Sequence, residues 1–232
     1  MRSTRTLAGV ALAGTVALGA AACGSSSTGT SSSSSASSSA AAAPSSASAS
    51  ASASPTPAAE IASLKGVDTA VQVDAKTLAA LTSLKVMVTP TGKAKATTTY
   101  KPATFDFPIT GGNVKVFAKG EVDPYVQGII HHDGSGLMFA AGGKTLTVEN
   151  FDVDPGTSML MASVKGSSGA KIPLFFLDGS GLQITKDAAG HAKLDGTKVE
   201  LTAEAAAALN KTFSVTAFQP RMLIGIAHIT AG

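Results

Sequence analysis

Residues 60–232 are expected to fold as a mainly β domain, an antiparallel β-sandwich with two short capped helices, and three observations point there. Apolar residues recur mostly with period two, as in Phe105-Asp106-Phe107-Pro108-Ile109 and Val114-Lys115-Val116. Glycine-rich turn signals separate these runs at short intervals. Only two stretches carry the Ala/Leu composition and the capping residue of a helix. A signal peptide and a disordered tether are expected to precede the domain. The domain's 173 positions are long enough to bury about 70% of their unfolded surface in one core.

In chain order, residues 1–22 read as a secretory leader. Arg2 and Arg5 supply the positive start, and Leu7 to Ala22 form an uncharged run of 16 residues rich in Ala, Leu, Val and Gly. The run is too short and too rich in small residues for a spanning helix. It ends in Ala20-Ala21-Ala22-Cys23-Gly24, small residues placed directly before the chain's 1 cysteine. This resembles the lipobox of bacterial lipoproteins, with Ala20 where that family usually has Leu. The resemblance implies that Cys23 is lipid-modified and becomes the mature N-terminus, anchoring the chain to the extracytoplasmic face of the cell membrane. Ordinary signal-peptidase cleavage after an Ala-x-Ala site is the alternative.

Residues 23–59 are then the lipidated Cys and its tether. Positions 24–59 hold only Gly, Ser, Thr, Ala and Pro, with 17 Ser in 36 positions. Such a composition cannot bury enough apolar surface to offset the entropy of ordering, so a flexible spacer is expected.

Within the domain, Asp74 and Thr202 are good N-cap residues for helices over Ala75 to Leu84 and Ala203 to Phe213. Each helix follows a strand-like run, Val71-Gln72-Val73 and Val199-Glu200-Leu201, which suggests one strand-helix unit near each end of the domain. Gly111-Gly112, Gly142-Gly143, Gly166 to Gly169 and Asp195-Gly196 are read as turns. The repeated Asp-Gly-Ser-Gly-Leu at 133–137 and 178–182 is expected to close two similar hairpins, or to be convergent turn chemistry. Leu174 to Leu177, apolar at every position, suits a strand buried on both faces.

Composition excludes several function classes. A single Cys rules out an internal disulfide framework and a Cys-rich zinc module. The formal charge of +3 comes from 18 Lys+Arg against 15 Asp+Glu, and removing Arg2 and Arg5 leaves 16 against 15. No clustered basic excess remains to contact nucleic acid. There is no Gly-x-Ser-x-Gly elbow, no P-loop and no Gly-x-Gly-x-x-Gly, and Ser135 and Ser180 lie in Gly-rich turns where a Ser needs no catalytic explanation. The domain is therefore expected to be no enzyme and to hold no metal. Its partners are expected to be the membrane, through the anchor, and an envelope ligand or protein whose identity the sequence does not give.

Four His are candidate ligands. His131 and His132 are adjacent, so on a strand they point to opposite faces and at most one faces the core. His228 sits in an apolar strand and suits a hydrogen-bonded core residue, while His191 follows Gly190 at a polar hairpin end. Asn150, Asp152 and Asp154 alternate as in a calcium loop, but Pro155 and Met161 occupy the positions of the turn Gly and the bidentate Glu. The acidic face of an edge strand is the expected reading. Phe175-Phe176, Met159 to Met161 and Met138-Phe139 could line an apolar pocket, though packing of the core is expected to use them.

Phe107-Pro108-Ile109-Thr110-Gly111-Gly112, His131-His132-Asp133-Gly134 with Leu137, Glu149-Asn150-Phe151 and Leu201-Thr202-Ala203-Glu204-Ala205 are together similar to an uncharacterised group of secreted bacterial domains. More distantly they resemble the HtaA domain of bacterial haem uptake. That resemblance implies a β-sandwich with short helices, and a haem iron held by a Tyr in an aromatic N-terminal segment and assisted by the His that corresponds to His132. Val67 to Leu84 contains no Tyr, Trp or Phe, so the principal ligand is missing from its family position. No cofactor is therefore expected first, and haem second, with His132 or Tyr125 as the candidate ligand-binding residues.

Overall fold

The computed structural model describes residues 54–232; the expected leader, Cys23 and the expected tether up to residue 53 lie outside the described residues. Among the described residues, thirteen strands form one antiparallel sheet. In chain order these are β1 (Ala59–Ile61), β2 (Val67–Val73), β3 (Met87–Gly92), β4 (Lys95–Thr97), β5 (Thr104–Pro108), β6 (Gly111–Val116), β7 (Val126–Ala141), β8 (Lys144–Asp154), β9 (Met159–Val164), β10 (Ile172–Asp178), β11 (Gln183–Lys186), β12 (Ala192–Leu201) and β13 (Leu223–Ala231). Helix α1 (Ala75–Ser83) follows β2, and α2 (Ala203–Phe213) follows β12.

The spatial order is β1-β6-β7-β8-β9-β10-β12-β13-β2-β5-β4, with β11 added to β12 and β3 added to β7. The expected mainly β, antiparallel architecture with two capped helices is present, its two layers being halves of one curled sheet. Alternation along the strands sends Val71, Phe105 and Phe107 from one half, and Leu137, Phe139 and Val148 from the other, into a single apolar core.

The strand-helix units form as the capping rules require. The Asp74 carboxylate accepts from the amides of Lys76 and Thr77, and the Thr202 hydroxyl accepts from Ala205 N–H at 3.1 Å. Helix α2 ends at Ser214 in the left-handed conformation and buries Ala205, Ala206 and Leu209. Helix α1 is tied down by the Thr77 hydroxyl, which donates to the Leu223 carbonyl. Both helices close the same end of the core, where Leu81 and Leu209 face the void that Phe139 and Phe175 line.

Two turn readings are corrected. Residues 133–137 do not close a hairpin but form an irregularity inside β7, where the pairing with β8 shifts between His132 and Gly136. β7 is 16 residues long and needs that bulge, because β6 pairs with its first part and β3 with its last on the same side. Asp178 to Leu182 forms a single 3-10 turn whose Asp178 carboxylate accepts from Ser180 N–H. Gly142-Gly143, by contrast, is the tight β7–β8 connection, with φ of 56° and 76° as a type I′ turn demands.

Close approach of paired strands fixes Gly225. A Cβ at Gly225, in β13, would stand 2.1 Å from the Gln72 carbonyl oxygen on the paired strand β2. Gly225→Ala is expected to destabilise the domain by about 3 kcal/mol, the upper part of the overpacking range, since a backbone oxygen cannot turn aside as a side chain can. Urea unfolding of the variant checks this, and an unchanged midpoint would contradict it.

Candidate functional site

Strand β7 places His131 and His132 on opposite faces. His132 points inward and is 1% exposed. Its Nδ1 lies 3.0 Å from the Pro108 carbonyl oxygen and its Nε2 lies 3.2 Å from Thr69 Oγ1. A carbonyl only accepts, so Nδ1 carries the proton and Nε2 accepts from the Thr69 hydroxyl. Burial pushes the imidazole's pKa below its ordinary value, outweighing the backbone hydrogen bonds at Pro108 and Phe107 and the Asp152 charge, all of which favour the cation. Phe107 packs edge-on against the ring at 6.3 Å between centroids. A hydroxyl on a His resembles a nucleophile–base pair, but Thr69 is 4% exposed and no substrate could reach it.

Each of the other three His pairs with an aspartate. His131 Nδ1 is 2.7 Å from Asp152 Oδ1, and Lys171 Nζ is 2.5 Å from the other oxygen of that carboxylate. Burial raises the Asp152 pKa, but the hydrogen bonds and charges of Lys171 and His131 overcome it, so the net shift is downward. His191 Nδ1 sits 2.9 Å from Asp187 Oδ2 in the β11–β12 turn. His228 Nδ1 sits 3.0 Å from Asp195 Oδ1, with the Tyr100 ring stacked on the imidazole at 3.8 Å. His228 thus lies on the outer face under Tyr100 and not in the apolar core. No group of three His, Cys, Asp or Glu able to hold a metal occurs among the described residues.

The acidic alternation at 150–154 is corrected in its setting. Strand β8 lies between β7 and β9 and is not an edge. Asn150, at φ 57°, uses its side-chain oxygen to accept from Gly134 N–H, stitching the β7 bulge to β8. Asp152 serves the His131 and Lys171 pair, and Asp154 accepts from Thr157 N–H in the β8–β9 turn. The three side chains therefore have three separate structural uses.

Tyr125 occupies a different setting. It precedes β7, its carbonyl accepts from Phe117 N–H at 2.7 Å, and Lys119 Nζ lies 5.3 Å from its ring centroid. Its hydroxyl is buried without a partner in the protein. The residue borders an open cleft of about 280 Å³ walled by Val126, Ile130, Leu177, Leu182 and Leu194, with Asp123, Ser158, Ser180 and Thr197 also in its lining. Two voids inside the core are much smaller, about 70 Å³ and about 40 Å³, and His132 borders the second of these. His132 and Tyr125 therefore do not share a cavity.

Sequence reasoning missed the cleft. Its walls come from the β7 entry, the 3-10 turn after β10, and β12, and no short motif links them. Gly179 and Ser180, in the Asp178-Gly179-Ser180-Gly181 turn that the sequence does show, belong to its lining. Asp178 is held down to about 2, chiefly by the hydrogen bonds it accepts from Ser180, with Lys198 adding a weaker one at 3.2 Å.

No family model matches the chain, and no curated protein matches it. Two solved structures from Corynebacterium glutamicum are similar in shape. The C-terminal domain of HtaA has a TM-score of 0.48 at 16% identity, with 73% of this chain and 97% of that one covered. The haem-binding protein HtaB has a TM-score of 0.33 at 10% identity, with 75% and 95% covered. Both scores fall below 0.5, and neither carries an inference about the site.

Proposed function

We propose that this chain is a membrane-anchored extracytoplasmic lipoprotein whose β domain binds a small ligand without converting it. The observation that carries the binding role is the open, largely apolar cleft beside the unpartnered Tyr125 hydroxyl. Ligand sites are concave, mostly apolar and fitted with few polar groups, and this cleft has that composition. The anchor rests on Cys23 after its run of small residues, and its partner is the membrane itself. Ligand-observed NMR with a set of small aromatic and aliphatic fragments tests the binding role. Ser180→Trp, which fills the cleft mouth from an exposed turn, should abolish the binding seen with the wild-type chain. Fragments that bind both proteins equally would remove the cleft from consideration.

Haem is the second reading, raised by the Tyr125 phenolic oxygen, an atom type that can ligate haem iron. The residues present do not fit it well. His132, the expected assistant, is enclosed with both ring nitrogens engaged, and it does not border the Tyr125 cleft. Titration with haemin is expected to leave the Soret band of free haemin unchanged. A shift that Tyr125→Phe removes would place haem first.

A further inference from the structure

We infer that the core between α1 and His132 takes up the end of an unbranched hydrocarbon chain, of the kind a fatty acid or a lipid carries, with α1 as the cover that moves to admit it. This second site is independent of the Tyr125 cleft.

The two voids in the core lie in line along the strands. The larger, of about 70 Å³, is lined by Val73 of β2, Leu201 of β12 and Ile224 of β13, and the smaller, of about 40 Å³, by Thr69, Val199 and Ile229 of the same strands. Val71, Phe107, Leu137 and Phe175 border both. The path from Val73 to Thr69 covers about 13 Å of strand, so the space is long and narrow. One water-sized group needs about 10–15 Å³ of such space, so the larger void takes roughly five methylenes, and the pair roughly eight once the four shared side chains turn aside.

The lining sets the chemistry. Among the described residues no Asp, Glu, Lys or Arg borders either void, and His132 and Thr69 at the far end are hydrogen-bonded to each other. A charged group would be buried there without a partner, whereas each methylene taken out of water tightens binding about fourfold.

The two helices over the larger void are held unequally. Helix α2 buries Ala205, Ala206 and Leu209, but α1 buries Thr77 alone. An element with so few buried apolar contacts opens at low cost. Leu78 and Met87, next in the chain to the lining residues Thr77 and Val88, are 37% and 68% exposed, which puts apolar surface beside the cover where a chain first arrives.

The test titrates the full chain with straight primary alcohols from 1-butanol to 1-decanol, followed by ligand-observed NMR. Affinity should rise about fourfold with each carbon and level off at about eight carbons. The branched isomer 3,3-dimethyl-1-butanol should bind about tenfold more weakly than 1-hexanol, because close-packed walls do not widen for it. Ala208→Leu, which fills the larger void from α2, should remove the binding, and Ser180→Trp at the other cleft should leave it unchanged. The two isomers on the wild-type chain decide the matter even where Ala208→Leu does not fold. Affinity that rises without a break, equal binding of the isomers, or loss of binding in Ser180→Trp would overturn the inference. Dodecanoate and a dodecanoyl lysophosphatidylcholine, both below their micelle concentrations, then separate the sources: binding of either supports the chain as ligand and names its bearer, and binding of neither would overturn it.

Discussion

His132→Ala should lower the stability of the domain by roughly 3–5 kcal/mol, through two additive losses. Removing the imidazole leaves the Pro108 carbonyl and the Thr69 hydroxyl without partners in a site that is almost fully enclosed. Each unsatisfied buried group costs about 1–3 kcal/mol. The vacated ring volume also adjoins the existing void of about 40 Å³, and Phe107 and Phe151 around it are themselves locked edge-to-face at 5.3 Å. Collapse into the space is therefore restricted, and a cavity term is added. For a domain of this size the melting temperature should fall by roughly 6–20 °C. A drop below about 1 kcal/mol in urea unfolding would show that water or a neighbouring side chain replaces the ring.

The same residue sets a pH dependence whose direction follows from its lowered pKa. The folded state holds His132 neutral, while the unfolded chain titrates near the ordinary value of 6.5. Above that value both states are neutral and the stability is fully present. As the pH falls below about 6.5 the unfolded state takes up a proton that the folded state refuses, so stability declines until the folded pKa is passed. The carboxylates with lowered values, Asp152, Asp178 and Asp187, lose their contribution only at lower pH, below about 4 to 5. His132→Gln keeps a neutral polar side chain at every pH and should flatten the wild-type decline between pH 7 and 5. An identical decline in that variant would assign it to other groups.

The elements most legible in the sequence are those whose causes are local. Asp74 and Thr202 announce their helices because an N-cap needs only the next three amides, and Gly142-Gly143 announces its turn because two consecutive positive φ values suit two glycines. Period two along β7 separates His131 from His132 without saying which faces the core. That choice depends on the pairing with β6 and β8 and on the bulge before Gly136, all of them long-range. The placement of β13 between β12 and β2 brings His228 beside Asp195, 33 positions away, and no local pattern records it. The cleft was illegible for the same reason. Tyr125 could be singled out as one of only two tyrosines, but the cleft it borders exists only once Leu177, Leu182 and Leu194 have come together from β10, the 3-10 turn and β12. Asp133-Gly134-Ser135-Gly136 misled because its glycines serve a bulge between two strands, a use that looks identical in sequence to a hairpin turn.

Cys23→Ala should abolish lipid attachment altogether and release the chain from the membrane fraction. The thioether linkage of a lipoprotein requires a sulfur at the first mature residue, and the chain has 1 Cys, so no second thiol can take over. An acyl chain contributes about 0.8 kcal/mol for each buried methylene, and stable attachment needs two chains or one chain with a basic patch. The tether at 24–59 carries no Lys or Arg, so the chain offers no such patch beside the proposed anchor. Among the described residues no helix is long and apolar enough to cross the membrane in its place. Metabolic labelling with a fatty-acid analogue, followed by fractionation, should show labelled wild-type protein in the membrane and unlabelled variant outside it. Label that persists at position 23→Ala, or a variant that stays in the membrane fraction without label, would mean that the chain is held by something other than a lipidated Cys23.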